Sequence, residues 1–501
     1  MDINTLNSLN NPIGAVFTPY RWAIWAVELL NLADSLNQKK TVFDPTGGDG
    51  SFIFALVDSW IKKYNGSIKE IVNLIFYNEI QIEYINKFSS DFKEKYKMEF
   101  PQSNISSLDI IINNNKKKYD FIIGNPPWIN FNDIQDEKYK ELLKQYFIRY
   151  ELVKNLKEVL LGGSRIDLAA LVLYSVFLNN TKDSTVCGYF LPLSLFLNDG
   201  ASDSFRKFSV GQKSFSLDYI YDFDGITVFE GIATRFCFAH FTMNRKTIYP
   251  ISYYISNDDN QWKEFFAAPV AQSNAALIVK KTNAIEEFSI KLVEIESWQT
   301  PRQGINTCGA NEIFQFNELP KYLNKNYIYP LVTTKLLRGE IKKPEKYILL
   351  PYHKNGKPLS FKELEDEGLL EYFSKFKNKL QNRKGVLINS QINKCIWWSL
   401  IGIGPYSFCK YKIIWPSFGS KEFSPVILAD YDNHEWQANQ AMQAFIPSND
   451  LADSYRIQMQ LNTFGIEQHL KDQKMEGTMN WAQPGRIKKF LKEVDPTPSL
   501  F

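Results

Sequence analysis

Cysteine and histidine are scarce in this chain of 501 residues, which has five of the first and four of the second. The five cysteines are scattered, and no two of them form a Cys-x-x-Cys pair. An odd number of cysteines without such a pattern does not suggest a disulfide framework and is typical of the reducing cytoplasm. The histidines show no metal-ligand spacing. The sequence therefore predicts a cytoplasmic protein without a metal site.

Long apolar runs are missing as well. The longest largely apolar stretch, residues 168–178, is too short to span a bilayer, and no signal peptide opens the chain. We interpret this stretch as a buried helix and predict no contact with a membrane. The composition is 44% hydrophobic and 23% charged, which is typical of a globular protein with sizeable cores. The length favours roughly two to four domains.

A strong net charge is also absent, since the total is only +3, but the basic residues are unevenly spread. Residues 321–420 contain 18 Lys and Arg against 7 Asp and Glu. This excess is typical of a nucleic-acid-binding face, although a solvated lysine-rich surface explains it equally well. Aromatic residues reach 15%, and we expect most of them in cores and some as platforms for stacked bases.

Strand and helix patterns alternate through the first half of the chain. One example is a predicted strand at residues 40–43, followed by helical periodicity over residues 51–64. This alternation predicts βαβ units and a parallel sheet. After residue 244 the pattern changes to short strands with many Pro and Gly. The predicted organisation is an α/β domain over residues 1–245, a connecting region over 246–295 and a mixed α+β domain over 296–501.

A glycine-rich turn, Asp44 to Ser51, follows the first predicted strand. Glycine lets the backbone turn tightly and approach a ligand, and the N-terminus of the next helix offers free N–H groups. Asp44 and Asp49 would repel a pyrophosphate but suit an ammonium group. Acids together with backbone N–H groups therefore fit the methionine end of S-adenosylmethionine.

Acidic residues also follow the next two predicted strands. Glu79 can accept both hydroxyls of a ribose, and Asp109 can accept from an adenine amino group. Ile80 and Ile110 could hold the adenine ring between them. Each acid alone is as easily a helix N-cap or a surface residue. Three acids at three successive strand ends favour a ligand, because ligands bind where the carboxyl ends of parallel strands converge.

The run Asn125-Pro126-Pro127-Trp128 ends the fourth predicted strand. An exocyclic amine is a poor nucleophile because its lone pair is delocalised into the ring. The Asn125 side-chain oxygen and the Pro126 carbonyl can each accept one N–H, and the prolines keep both acceptors aimed. Trp128 offers a flat face to an extruded base. The tetrad predicts methylation of an amino group, and its chemistry suits adenine and cytosine alike.

The order of these features resembles that of the gamma-type N6-adenine DNA methyltransferases of restriction–modification systems. In that family a Phe-Thr-Pro segment, here at Phe17, precedes the cofactor loop, the Asn-Pro-Pro-aromatic tetrad and a C-terminal target-recognition domain. The resemblance implies a Rossmann-like S-adenosylmethionine-dependent domain with a mostly parallel, seven-stranded sheet. It also implies double-stranded DNA as the partner and methyl transfer to N6 of a flipped-out adenine.

The resemblance assigns roles to single residues. Phe229 is expected to hold the flipped base together with Trp128, and the run from Arg302 to Asn311 looks like the start of a family recognition domain. The residues expected to bind the cofactor are Phe17, Thr18, Asp44, Thr46, Gly48, Glu79, Ile80, Asp109, Ile110 and Asn125. The residues expected to contact DNA are Arg302, Gln303, Asn306, Lys335 and Arg338, with Arg383 and Lys384 as further candidates by residue type.

Other functions fit the sequence less well. Methyltransferases that modify glutamine side chains or RNA share the tetrad, but they resemble the chain less. A catalytically inactive DNA-binding subunit would not need the intact Asp44, Glu79 and Asn125. The chain begins shortly before Phe17 and shows no convincing nuclease acid cluster, so we expect any restriction endonuclease partner on a separate chain.

Overall fold

The computed structural model describes residues 16–153, 167–197, 202–229, 235–256, 261–269, 276–473 and 481–494. The chain divides into two compact units, Met1–Ser289 and Ile290–Phe501. Each unit has hydrophobic cores of its own.

A sheet that counts eleven strands over the described residues forms the centre of the first unit. Its strands are β1 (Val42–Asp44), β2 (Ile75–Asn78), β3 (Ile105–Ser106), β4 (Tyr119–Gly124), β5 (Thr181–Pro192), β6 (Ser209–Val210), β7 (Lys213–Asp222), β8 (Phe236–Met243), β9 (Ile251–Ser256), β10 (Trp262–Pro269) and β11 (Leu277–Lys280). The spatial order is β11-β10-β9-β7-β8-β5-β4-β1-β2-β3, and β6 pairs with β7. Strands β1 to β5 pair in parallel, whereas β8 is antiparallel to β5 and β7.

Helices cover both faces of this sheet. They are α1 (Tyr20–Leu29), α2 (Leu32–Asn37), α3 (Ser51–Tyr64), α4 (Ile82–Tyr96), α5 (Glu137–Arg149), α6 (Leu168–Asn180) and α7 (Ser194–Leu197). Helices α1 to α4 contribute to one buried cluster, and α5 to α7 contribute to another. Helix α6 is buried along almost its whole length, which confirms the interpretation of the apolar stretch as a core helix. None of the described helices is long and apolar enough to cross a membrane.

The predicted α/β class is confirmed, but the sheet is wider than the seven strands expected. The order β3-β2-β1-β4-β5-β8-β7 continues through β9, β10 and β11. These three strands come from residues 246–295, which the sequence pattern presents as a connecting region. Strand β9 pairs in parallel with β7, and β9, β10 and β11 pair antiparallel with one another. Antiparallel strands that follow one another without helices between them do not show the strand–helix alternation of βαβ units. The sequence pattern therefore did not indicate that β9, β10 and β11 extend the sheet.

The second unit is a mixed α+β structure of short elements. Its strands are β12 (Val293–Glu296), β13 (Arg302–Gln303), β14 (Gln315–Phe316), β15 (Ile328–Pro330), β16 (Tyr347–Leu349), β17 (Tyr411–Pro416), β18 (Val426–Ala429), β19 (Gln443–Ser448) and β20 (Leu491–Val494). They form the sheets β12-β20, β13-β19-β17-β18 and β14-β16-β15. Its helices are α8 (Asn311–Phe314), α9 (Thr334–Leu337), α10 (Phe361–Asp366), α11 (Leu370–Ser374), α12 (Lys377–Gln381), α13 (Val386–Ile392), α14 (Leu451–Thr463), α15 (Ile466–Asp472) and α16 (Pro484–Ile487).

Candidate active site and DNA-binding residues

A cleft of about 800 Å³, open solvent at its mouth included, lies at the carboxyl ends of β1, β2 and β4. Parallel strands bring these ends to one edge of the sheet, where ligands bind in α/β folds. The predicted cofactor residues Phe17, Thr46, Gly48, Glu79, Ile80, Asp109, Ile110 and Asn125 line the cleft, together with Val16, Pro45, Asn78, Gln81, Tyr84, Leu108, Ile111, Pro127, Tyr139, Leu168 and Val172. The structure therefore brings together side chains that lie more than 100 positions apart in the sequence.

The glycine-rich loop is shaped by its contact with Tyr77. A Cβ atom on Gly47 would lie 2.1 Å from Cε2 of the Tyr77 ring, so a larger residue does not fit without a shift. The Tyr77 hydroxyl donates to the Gly48 carbonyl at 2.6 Å. Gly48 has a φ of +54°, in the left-handed region that glycine adopts at no steric cost. Glycine at these positions lets the loop lie close to the cleft.

Asp44 lies at the end of β1 and is fully buried. Its Oδ1 accepts from the Thr46 N–H at 3.1 Å, and its Oδ2 has no hydrogen-bond partner among the described residues. Burial raises the pKa of the Asp44 carboxyl well above its ordinary value, and the nearby Glu79 and Asp49 add to this shift. Asp44 and Thr18, which were also predicted to bind the cofactor, are buried and do not line the cleft. A cation that reached the free oxygen of Asp44 would stabilise its carboxylate.

Glu79 follows β2 and is fixed by two backbone N–H groups. Oε2 accepts from Gly48 at 2.9 Å, and Oε1 accepts from Gln81 at 2.9 Å. Its side chain lines the cleft while its pKa is raised by burial, an effect that the backbone hydrogen bonds oppose. Each carboxylate oxygen has a second lone-pair site, so a pair of neighbouring hydroxyls could still donate to this group.

Asp109 lies three residues beyond the end of β3, in the loop that follows the strand. Oδ1 accepts from the Ile111 N–H at 2.9 Å, and Oδ2 accepts from the Tyr139 hydroxyl at 2.9 Å. Burial raises the pKa of the Asp109 carboxyl. Ile80 and Ile110 line the same cleft and give it apolar walls beside the acid. This combination suits a flat ring with an amino group.

The residues of this cleft that the sequence did not indicate as functional candidates include Asn78, Tyr84 and Tyr139. The Asn78 amide nitrogen donates to the carbonyls of Pro45 and Leu108 at 3.0 Å each, and thereby joins the loops after β1 and β3. The ring of Tyr84 packs edge-on against Phe17 with centroids 5.1 Å apart. Only the position of Asn78 at a strand end could have pointed to it from the sequence.

Asn125 lies directly after β4, and the nitrogen and the oxygen of its side-chain amide differ in their hydrogen bonding. Its Nδ2 donates to the Val16 carbonyl at 2.9 Å and to Thr18 Oγ1 at 3.2 Å. Its Oδ1 is buried and has no hydrogen-bond partner among the described residues. The predicted opening segment thus holds the amide in one orientation, with the oxygen left as an acceptor. Thr18 itself is buried, and the Phe17 ring lies against Gly48.

Trp128 and Phe229 lie next to each other, as the resemblance implies. Their ring centroids are 5.0 Å apart at an interplanar angle of 90°, and Trp128 also stacks on Phe236 at 5.4 Å. The Trp128 Nε1 donates to the Phe190 carbonyl at 3.4 Å. Because the two rings touch, a base can enter between them only when they separate.

At the start of the second unit, the side chains that were predicted to contact DNA mostly interact with other residues of the same unit. The Arg302 guanidinium lies 4.4 Å from the centroid of the Tyr406 ring. The Gln303 Nε2 donates to Ser417 Oγ and to two backbone carbonyls, and Asn306 Oδ1 accepts from the Cys308 N–H at 2.7 Å. In this structure these side chains stabilise the fold of the unit.

The later basic candidates differ in exposure. Lys335 forms an ion pair with Glu345 at 3.2 Å, and the side chain of Arg338 is 71% exposed. Arg383 is buried and donates to backbone carbonyls, including that of Thr307 at 3.1 Å. Arg383 therefore has a structural role, and its type alone was misleading. Lys384 next to it is exposed.

Part of the chain is similar to known proteins. Residues 52–229 match the family described as Eco57I restriction-modification methylase. Over 191 residues the chain is 29% identical to the Type II methyltransferase M.AccI of Acinetobacter calcoaceticus. The aligned segment covers 37% of this chain and 29% of M.AccI. The chain thus spans less than a third of this relative's length.

Solved structures show the same fold over nearly the whole chain. The Type IIL restriction-modification enzyme MmeI, solved in complex with DNA, gives a TM-score of 0.53 at 12% identity, with 96% of this chain and 66% of that chain covered. A nuclease-deletion mutant of the Type ISP enzyme LlaGI, solved with a DNA substrate mimic, gives 0.52 at 12% identity, with 95% and 46% covered.

The first unit has the α/β fold that is also found in these restriction–modification enzymes. Its segment 52–229 matches the Eco57I restriction-modification methylase family, and the resemblance to restriction–modification methyltransferases is confirmed by this match and by M.AccI.

Proposed function

We propose that this protein transfers a methyl group from S-adenosylmethionine to the N6 amino group of an adenine flipped out of duplex DNA. It would serve as the modification component of a restriction–modification or related defence system, in the cytoplasm, with any cognate endonuclease on a separate chain. The observation that carries the proposal is the buried Oδ1 of Asn125, an acceptor without a partner among the described residues beside two prolines and a cofactor-sized cleft.

Side chains of the cleft suit parts of S-adenosylmethionine. Glu79 suits the two ribose hydroxyls, and the free Oδ2 of the buried Asp44, which does not itself line the cleft, suits the ammonium of the methionine part. Asp109 suits the adenine amino group, with Ile80 and Ile110 beside the ring. When bound, S-adenosylmethionine supplies an electrophilic methyl group on its sulfonium.

The residues after β4 prepare the attacking amine. The Asn125 Oδ1 and the Pro126 carbonyl each accept one N–H of the target amine, which directs its lone pair away from the ring plane. Val16 and Thr18 hold the Asn125 amide so that its oxygen needs no reorientation during the reaction. The nitrogen loses its proton after the attack, so no dedicated general base is required.

The extruded base would be held by aromatic faces. Trp128 is the last residue of the tetrad and Phe229 packs against it, and base–aromatic stacking contributes about 1–3 kcal/mol per base. Their present edge-to-face contact would open as the base enters. Adenine rather than cytosine follows from the family resemblance, because both amines satisfy the same two acceptors.

Product analysis tests the proposal. Purified protein is incubated with duplex DNA and S-adenosylmethionine carrying a labelled methyl group, and the DNA is digested to nucleosides for mass spectrometry. We expect label in N6-methyladenine. Label in N4-methylcytosine would overturn the choice of base, and label only in RNA or protein acceptors offered in parallel would overturn the DNA substrate. Modification-sensitive sequencing of host DNA with and without the chain then locates the sites.

A further inference from the structure

An acid-free stretch runs through the second unit. Residues 372–421 contain nine Lys and Arg and not a single Asp or Glu. Some of this charge is used within the unit: Lys379 pairs with Glu312 at 2.6 Å, and Lys412 is buried. Lys384 and Lys394, which flank α13, are exposed and form no ion pair with any described residue. An exposed lysine therefore lies at each end of this helix.

Helix α13 is fixed by its buried side and by the turn that precedes it. Ile388 points into the core and is only 1% exposed. Just before the helix, Arg383 donates to the carbonyls of Leu380, Thr307 and Trp397 at 3.0, 3.1 and 2.7 Å. Three hydrogen bonds from one planar guanidinium fix the turn that leads into the helix. The helix thus presents its outer residues from a rigid base.

The outer face of α13 is exposed and carries no charge. Val386 and Leu387 are 68% and 58% exposed, unusually high values for large aliphatic side chains beside a core. Asn389 and Asn393 are exposed as well, and Asn393 directly follows the last residue of the helix. They follow Val386 at spacings of three and then four residues, so the three side chains lie on the same side of the helix. Amide and aliphatic groups therefore alternate on one surface between two free lysines.

We propose that this face, made of Val386, Leu387, Asn389 and Asn393, reads base edges in the major groove of DNA while Lys384 and Lys394 bind the flanking phosphates. Asparagine recognises adenine by paired hydrogen bonds, and aliphatic groups contact the thymine methyl. Lysines at both ends suit phosphates, which position a protein without reading sequence. The inference rests on the proposed DNA substrate and assigns the reading element within it.

The test uses the full chain with two double variants, Asn389→Ala/Asn393→Ala and Lys384→Ala/Lys394→Ala. The site is mapped by selecting, from a random pool of duplexes, the sequences that the parental protein binds. Binding to labelled duplexes that contain this mapped site, or a scrambled one, is then followed by fluorescence anisotropy at several salt concentrations. We expect the asparagine pair to lower affinity for the mapped site about tenfold or more with little effect on scrambled DNA. We expect the lysine pair to weaken both duplexes and to reduce the salt slope by about two.

A control replaces an exposed amide and a half-buried lysine that pairs with Glu467 on α15, Gln468→Ala/Lys471→Ala, and is expected to bind DNA as the parent does. Melting curves of all variants exclude unfolding as the cause. Parental affinity and parental site preference in both α13 variants would overturn the inference, even if the protein methylates DNA. Because binding is measured without methyl transfer, failure of the proposed reaction is recognised separately by the absence of methylated product.

Discussion

The Tyr139 hydroxyl donates a 2.9 Å hydrogen bond to Asp109 Oδ2, although the two residues belong to different segments on either side of β4. The other carboxylate oxygen is already held by backbone N–H groups. Tyr139 therefore fixes the rotation of a side chain that we assign to the cofactor adenine. Helix α5, which lies outside the cofactor loop and the tetrad, in this way contributes to the binding site.

Replacing Tyr139 by Phe removes this hydroxyl and little else. Since Asp109 then loses one of its partners, we expect the KM for S-adenosylmethionine to rise about five- to tenfold, in line with roughly 1 kcal/mol for one hydrogen bond, while kcat changes less. Steady-state kinetics give both constants. Tyr146→Phe on the same helix is the control, because its hydroxyl makes only a 3.5 Å contact with the Ile112 carbonyl. An unchanged KM in Tyr139→Phe would contradict the positioning role.

Replacing Asn125 by Ala removes the free acceptor. We expect kcat to fall by about 100- to 1000-fold, as for the loss of one aligned hydrogen-bonding group in other active sites. Cofactor affinity, measured by calorimetry, should stay largely intact because the three acids of the cleft are untouched. A variant that still methylates DNA at the parental rate would refute the mechanism.

Replacing Asp44 by Asn should make stability less dependent on pH. Burial raises the folded-state pKa of Asp44 above its unfolded value. The stability that its carboxyl contributes is therefore complete below the ordinary pKa of 3.8 and is lost as the pH rises through the folded pKa. We expect the melting temperature of Asp44→Asn to exceed that of the parent by an amount that grows with pH, while cofactor affinity falls. A difference that is constant across pH would show that the carboxyl does not titrate as described.

Replacing Gly47 by Ala should disturb the cofactor loop through a steric clash. The new Cβ would lie 2.1 Å from the ring of Tyr77, which is itself stacked on Phe88. Overpacking of this kind typically costs about 1–3 kcal/mol, so we expect a lower melting temperature and weaker cofactor binding. Gly485→Ala is the control, because its added Cβ meets no atom within 4 Å. Equal melting temperatures for both variants would contradict the proposed clash.

Replacing Trp128 by Ala should weaken the hold on the extruded base. Loss of one stacking face reduces retention by about tenfold or more. A duplex with 2-aminopurine at the target position reports base extrusion by its fluorescence, and we expect a smaller increase for the variant together with slower methylation. Trp128→Phe keeps an aromatic face and should retain most of both signals. If Trp128→Ala extruded and methylated the base like the parent, stacking would have no role.

The alternation of strand and helix patterns in the sequence was sufficient to predict the α/β class. Helix α3 begins and ends at the predicted residues 51 and 64. The positions of the three acids and of Asn125 at one edge of the sheet could be predicted because each lies at the end of a strand or shortly after it. Tyr139 could not, since its approach to Asp109 depends on how α5 packs against the sheet. Arg383 was a candidate DNA contact because the sequence alone does not reveal burial. The three carbonyls to which it donates, those of Leu380, Thr307 and Trp397, follow no sequence spacing that would predict these hydrogen bonds.

The bond between Asn125 and the Val16 carbonyl joins positions 109 residues apart. The acceptor oxygen is thus oriented by a segment that precedes the whole sheet, and the same segment contributes Val16 and Phe17 to the lining of the cleft. Reactivity is in this way made conditional on complete tertiary assembly of the unit. Cleavage of the chain just after Thr18 would therefore leave a protein that binds its cofactor more weakly and has no oriented acceptor.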